Sequence, residues 1–204
     1  MNIAKKSLLG AAAMLLLTGV SIGQSSNTQG DAPSSMPSKN GGVLTSDRKF
    51  MDKAAQGGMA EVELGQLAQQ NGQSAEVKAF GKRMVDDHSK ADDQLKQLAA
   101  QKGVSLPTSL DAKDQATKDR LSKLQGAAFD KAYMKDMVAD HKQDVAEFKH
   151  ESMAAHDPDL KNWAGQTLPT LQSHLQEAEK IAPSTMGGNA MSKTNSSGMS
   201  AQSQ

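Results

Sequence analysis

Between Ser46 and Ala182, apolar residues recur at alternating steps of four and three, the spacing that lines one face of an α-helix. One stripe runs Phe50, Ala54, Gly57, Leu64, Ala68 and a second Val77, Gly81, Met84, Ala91, Leu95, Leu98. A third runs Met134, Met137, Val145, Phe148 and a fourth Leu160, Ala164, Leu171, Ala178, Ile181. The residues between the stripes set the expected boundaries. Ser46 is the expected N-cap of helix one and Asn71-Gly72 its left-handed stop, while helix two starts at Ser74 and runs to Lys102, before Gly103. Val104 to Leu110 is a longer link holding Pro107, followed by a short helical piece from Asp111 to Gln125 that is expected to pack across the bundle end. Helix three spans about Gly126 to Ala155, and Asp157-Pro158 makes the next turn. Helix four begins at that proline and ends near Ala182, before Pro183, with a kink at Pro169. Short turns force antiparallel neighbours, so the pattern predicts an all-α, antiparallel four-helix bundle with a short extra helical segment between helices two and three.

Each stripe also contains one ionisable residue: Glu61 in helix one, His88 in helix two, His141 in helix three and His174 in helix four. Burying such groups costs free energy unless they pair with each other, with water or with a metal. His141 and His174 are equally far from the Asp157-Pro158 turn and so stand level. Glu61 is nearer than His88 to Asn71-Gly72 by about five residues, an offset of roughly 7 Å, which makes it the outlying member. The segment Met84-Val85-Asp86-Asp87-His88 recurs as Met137-Val138-Ala139-Asp140-His141, with the Met and His of each copy on one helical face.

Two readings stay open. In one, His88, His141, His174 and Glu61, with Met84 and Met137, hold a transition metal. Carboxylate with imidazole suits zinc, iron or manganese, and thioether with imidazole suits copper. In the other, the histidines are core residues satisfied by buried partners and the methionines fill gaps, so that His88→Leu or His141→Leu is tolerated. Asp87 and Asp140 lie about 100° off the seam, as solvated flank residues or, alternatively, as supports for ligating rings. His150 and His156 fall outside the stripe, and Gly57-Gly58 is expected to permit close helix approach.

Lys5 and Lys6, the apolar run Leu8 to Val20 and the pattern Ser21-Ile22-Gly23 read as a secretory signal that is cleaved, the run being short and glycine-interrupted for an anchor. The expected division is a signal peptide at 1–23, a disordered linker at 24–45, the bundle at 46–182 and a disordered tail at 183–204. Export would place the mature chain in the periplasm or outside the cell. With no cysteine, neither a disulfide framework nor a lipid-bearing N-terminal cysteine is available. The 23 basic and 23 acidic residues become 21 against 23 without the leader's Lys5 and Lys6, a balance that argues against nucleic acid as a partner. No later segment is apolar enough to span a bilayer, and a homo-oligomer is compatible with these features without being implied by them. No G-x-S-x-G elbow, phosphate-binding glycine loop or set of nucleophile, acid and base is present, so a binding or structural role is expected over catalysis.

Four segments carry a resemblance: Ala60-Glu61-Val62-Glu63-Leu64-Gly65-Gln66-Leu67-Ala68; Met84 through His88; Phe129-Asp130 with Tyr133 through His141; and Leu168-Pro169-Thr170-Leu171 followed by His174-Leu175. Together they resemble the bacterial family of exported, ferritin-like helical proteins called domain of unknown function 4142, some of which bear an outer-membrane label. The likeness covers Phe50 to Ala182 and implies a ferritin-like bundle and export, with peripheral association at most and no established activity. Ferritin-like di-iron sites place a Glu three residues before a His on each of two helices. Here those positions are Val85, Val138 and Leu171, so a carboxylate-bridged iron oxidation centre is not expected. The candidate functions are an exported metal-binding or stress-protective bundle, a non-catalytic structural or interaction module of the envelope, and a histidine-based pH sensor.

Overall fold

A computed structural model describes residues 42–186. The expected signal peptide, most of the linker and most of the tail lie outside them. Five helices follow one another: α1 Thr45–Asn71, α2 Ala75–Lys102, α3 Ala112–Leu121, α4 Gly126–Ala154 and α5 Pro158–Met186, with no strand among the described residues. Short turns fold α1 back on α2 and α4 back on α5. The hairpins then join through α2 against α5 and α1 against α4, a ring of four long helices around one core. The short α3 lies on the flank of α1 and α4 rather than across the bundle end. Ion pairs with Glu63, Asp136 and Asp140 hold it there, and Leu121 is fully buried.

The boundaries follow local chemistry with three corrections. Ser74 caps α2 as expected, accepting from the Glu76 amide at 3.2 Å, and Gly103 closes it in the left-handed conformation at φ 67°. The N-cap of α1, however, is Leu44 without a side-chain cap, and Ser46 sits inside the first turn with its hydroxyl on Asp47. Gly72 ends α1 in extended backbone (φ −66°, ψ 153°) instead of a left-handed stop. Finally, α5, continuous through Pro169 as expected, does not end before Pro183 but runs on to Met186. Pro183 removes one amide donor, but it is exposed and lies in the last turn, where the freed carbonyl is open to solvent.

Two buried aspartates lock the hairpins together reciprocally. Asp47, in the first turn of α1, accepts from the amides of His156 (3.3 Å) and Asp157 (2.7 Å) in the α4–α5 turn. Asp130, the fifth residue of α4, accepts from Gln73 (3.0 Å) and Ser74 (2.8 Å) in the α1–α2 turn. Amides that end one helix and start the next are thereby satisfied from the opposite hairpin.

Close approach of α1 to α2 occurs at Gly65 and Gly81. A Cβ on Gly65 would stand 2.6 Å from the Gly81 carbonyl, and one on Gly81 would stand 2.6 Å from the Ala68 Cβ. The Gly57-Gly58 pair does something else: Gly57 faces open space, and the absent Cβ of Gly58 makes room for the Asp92 carboxylate. Two hydrophobic clusters fill the interior. One gathers Phe50, Leu95, Phe148, Trp163 and Leu171; the other gathers Leu64, Met84, Phe129, Tyr133, Met137 and Ala178. On every long helix the ionisable stripe residue stands between members of one cluster and members of the other, so the core is interrupted by a single polar layer.

Candidate metal centre

That layer brings together Glu61, His88, His141 and His174, one from each long helix and all buried. One ring nitrogen from each histidine lies within 4.8 Å of one from each of the others, and the ring centroids are 5.3–5.9 Å apart. Glu61 is no outlier. Its Oε2 pairs directly with His88 Nε2, and its Oε1 is 3.3 Å from His141 Nδ1. The Gly65–Gly81 approach draws α1 against α2 just beside Glu61, which puts the Glu61 side chain within reach of His88.

The second nitrogen of two rings is held from outside the cluster. His141 Nδ1 is 2.9 Å from the Met137 carbonyl and therefore donates to it, which leaves Nε2 with a free lone pair. His174 Nε2 is 2.8 Å from Asp87 Oδ2 and leaves Nδ1 free in the same way. His141 Nε2 and His174 Nδ1 are both buried without a hydrogen-bond partner, whereas His88 Nε2 is taken up by Glu61. Asp87 is thus a support for a ring rather than a solvated flank residue, because the flank of α2 on which it lies faces α5. Arg83 braces it, bonding Asp87 at 3.3 Å, Ser173 at 3.1 Å and Glu177. Phe80 closes one side, with its centroid 6.4 Å from His141 and 6.5 Å from His174. Met84 and Met137, both buried, lie in the hydrophobic cluster that includes Phe80. His150 and His156 are exposed.

Electrostatics follow from burial against pairing. Burial opposes charge on Glu61, but His141 and His88 outweigh it and hold the carboxyl down at about 2. Burial would lower His88, yet Glu61 raises it to about 8, so His88 carries the charge that answers Glu61. Burial dominates for the other two: His141 is lowered, and His174 falls to about 4 despite Asp87. Both are therefore neutral imidazoles at neutral pH, the form that binds metals. A cleft of about 260 Å³ between α2 and α5, with Asp87, His88, Thr170 and His174 among its walls, opens this layer to the outside.

The core stripe does not single out Asp92 or Asp144, although both lie near the layer. Asp92 occupies the space above Gly58, and burial pushes its carboxyl up to about 6. Asp144 and Asp140 each bring a carboxylate oxygen within 4.8 Å of one from Glu61. The available signal is spacing: Asp92 follows His88 by four residues and Asp144 follows His141 by three, on the same helical faces.

The fold is similar to two solved structures. One is a DUF305 fragment from Deinococcus radiodurans, with a TM-score of 0.62 and 14% identity over 70% of this chain and 99% of that one. The other is CopM in the Cu(II)-bound form, with a TM-score of 0.58 and 13% identity over 68% of this chain and 96% of that one. At such identities the likeness is one of fold. No curated protein matches the sequence. Residues 32–181 match the sequence profile of the family described as Domain of unknown function (DUF4142), and the chain belongs to that family.

Proposed function

We propose that this protein is an exported helical bundle of the cell envelope that binds a transition metal through His88, His141 and His174, with Glu61 beside them. One observation carries the reading: the buried His141 Nε2 and His174 Nδ1 lack any partner while their opposite nitrogens are fixed by the Met137 carbonyl and Asp87, and His88, paired with Glu61, stands beside them. Leaving two buried acceptors unsatisfied costs about 1–3 kcal/mol each, and coordination satisfies both together, with His88 joining when the metal displaces its proton. Imidazole-rich sites favour copper and zinc, and the order of divalent affinities puts copper first. That one structural neighbour is a Cu(II)-bound protein fits this choice. Such a site would sequester or buffer the metal, and nothing in it assigns a catalytic acid or base. The leader at 1–23 supports export, and any association with the outer membrane would be peripheral: among the described residues no helix is long and apolar enough to cross a membrane.

Titrating tag-free apo-protein with Cu(II) and with Zn(II) while following thermal unfolding tests the reading. A native-selective ligand raises the midpoint, by about 2.7 kcal/mol of stability at a hundredfold excess over Kd. His174→Leu should abolish the rise. An unchanged midpoint with both metals would refute the proposal.

A structural reading has its own support, since Glu61 is ion-paired with His88 and stands 3.3 Å from His141. In that account the layer only fixes packing, and wild type and His174→Leu would respond to metals alike. His88→Leu is the poorer probe, because it would strip a buried carboxylate of its partner and destabilise under either account.

A further inference from the structure

The link between α2 and α3 helps to enclose a cavity that the imidazole layer does not use. Gly103 turns the chain at φ 67°, and the Val104 amide closes onto the Ala99 carbonyl at 2.9 Å, which starts the link beside the α1–α2 pair. Between the link and the two helices lies a cavity of about 270 Å³ walled by Ala55, Met59, Ala99, Val104, Leu106 and Pro107. Leu106 also packs on the hydrophobic cluster around Phe50 and Leu95, which anchors that wall. Lys96, Ala100 and Thr108, all exposed, stand at its mouth.

One buried charge stands among these apolar walls. Asp92 is 8% exposed, with its carboxylate seated in the hollow left by Gly58, and it takes no part in a hydrogen bond or ion pair among the described residues. Lys96, four residues on, is turned to Asp93 at 3.5 Å instead. Burial raises the Asp92 carboxyl to about 6, which still leaves it ionised at neutral pH. A nearly buried carboxylate without a donor is costly, and a ligand that brings a cationic donor removes that cost. A bare metal ion does not suit the place, because a hard divalent cation takes about six oxygen ligands and these walls offer one carboxylate. An organic cation with an apolar body matches both the charge and the lining.

We propose that this cavity binds a small apolar amine, its ammonium group donating to Asp92 and its hydrocarbon body lying among Ala55, Ala99, Leu106 and Pro107. Size agrees, since an apolar protein cavity of about 150 Å³ holds benzene, and about 270 Å³ takes such a ring with a short alkylammonium arm. The apolar walls supply the burial and the charge-assisted bond fixes the orientation. The site needs no bound metal and stands whether or not the imidazole reading does.

The test titrates the protein, stripped of metal so that an amine has none to ligate, with phenethylammonium by isothermal calorimetry. Phenethyl alcohol and hydrocinnamate serve beside it, keeping the body and making the head neutral or negative. The expected result is one phenethylammonium per chain, with the other two at least about tenfold weaker because neither brings the charged donor that Asp92 accepts from. Asp92→Asn keeps the shape of the side chain, so thermal unfolding should show it folded, and it should weaken the amine by about tenfold or more. Ala100→Phe, at the exposed mouth, should block the amine without touching Asp92, while Asp86→Asn, whose exposed carboxylate pairs with Lys82, should change nothing. Absence of saturable amine binding, equal binding of the alcohol, or amine binding that Asp92→Asn or Ala100→Phe leaves intact would overturn the proposal.

Discussion

Gly65→Ala tests whether the approach of α1 to α2 is what brings Glu61 to His88. The new Cβ would meet the Gly81 carbonyl oxygen at 2.6 Å and the Met84 Cβ and Val85 Cγ2 at 3.1 Å, where ordinary contact begins at 3.4 Å. The first of these is backbone inside a helix and has no rotamer by which to withdraw. Overpacking of this kind costs typically about 1–3 kcal/mol, and the upper part of the range applies because two helices must separate to relieve it. Against this stands the better helix propensity of alanine, worth about 1 kcal/mol. The net expectation is destabilisation by about 1–2 kcal/mol. Gly57, on the same helix, has nothing within 4 Å of a built Cβ, so Gly57→Ala gains the propensity term alone and should stabilise by about 0.5–1 kcal/mol. Urea unfolding followed by circular dichroism reads both variants against wild type, as a shift in midpoint at unchanged slope. The two substitutions should move the midpoint in opposite directions. If Gly65→Ala stabilises as Gly57→Ala does, the helices are not in contact there, and the account of how Glu61 reaches the histidines fails with it.

Asp47 should make stability fall in acid. Burial opposes its charge, but the amides of Asp157 and His156 outweigh burial and hold its pKa below the ordinary 3.8. A carboxyl lowered by folding contributes above its unfolded pKa and loses that contribution as pH falls through the folded value. Wild type should therefore lose stability below about pH 4, and denaturation at several pH values should show a shallower acid loss in Asp47→Asn; identical slopes would contradict the capping role. Asp130→Ala leaves the amides of Gln73 and Ser74 without their acceptor and should cost about 1–3 kcal/mol in the same assay. Asp87→Asn keeps the shape of the group that orients His174 but weakens its grip, so competition titration should show metal affinity reduced by about 10–100-fold with folding intact. An unchanged affinity would remove Asp87 from the support of the site.

The layer of ionisable residues was legible because a helix repeats its face at a fixed period. Counting from Val77 puts His88 inward, and counting from Leu160 does the same for His174, whatever the bundle's details. Level was legible for His141 and His174, which share one hairpin and can be measured from one turn. Contact between Glu61 and His88 was not legible, since reach across an interface depends on how close two helices stand, and Gly65 with Gly81 makes that separation small. Position off the stripe also misled for Asp87: an angle measured on one helix says nothing about which neighbour stands beside that flank.

From the chain alone came the all-α class, the long helices to within a turn of their ends, the short segment before the third long helix and the four inward ionisable residues, because periodicity, caps and turn residues are local properties. The tertiary structure alone decided that Asp47 and Asp130 cap the opposite hairpin, that Asp87 and Arg83 brace His174, and that Glu61 faces imidazoles on one side and carboxylates on the other. Each of these depends on which helix packs beside which and at what distance. Those are non-local quantities, set by the fit of small residues such as Gly65 and Gly81 across an interface that no single helix encodes.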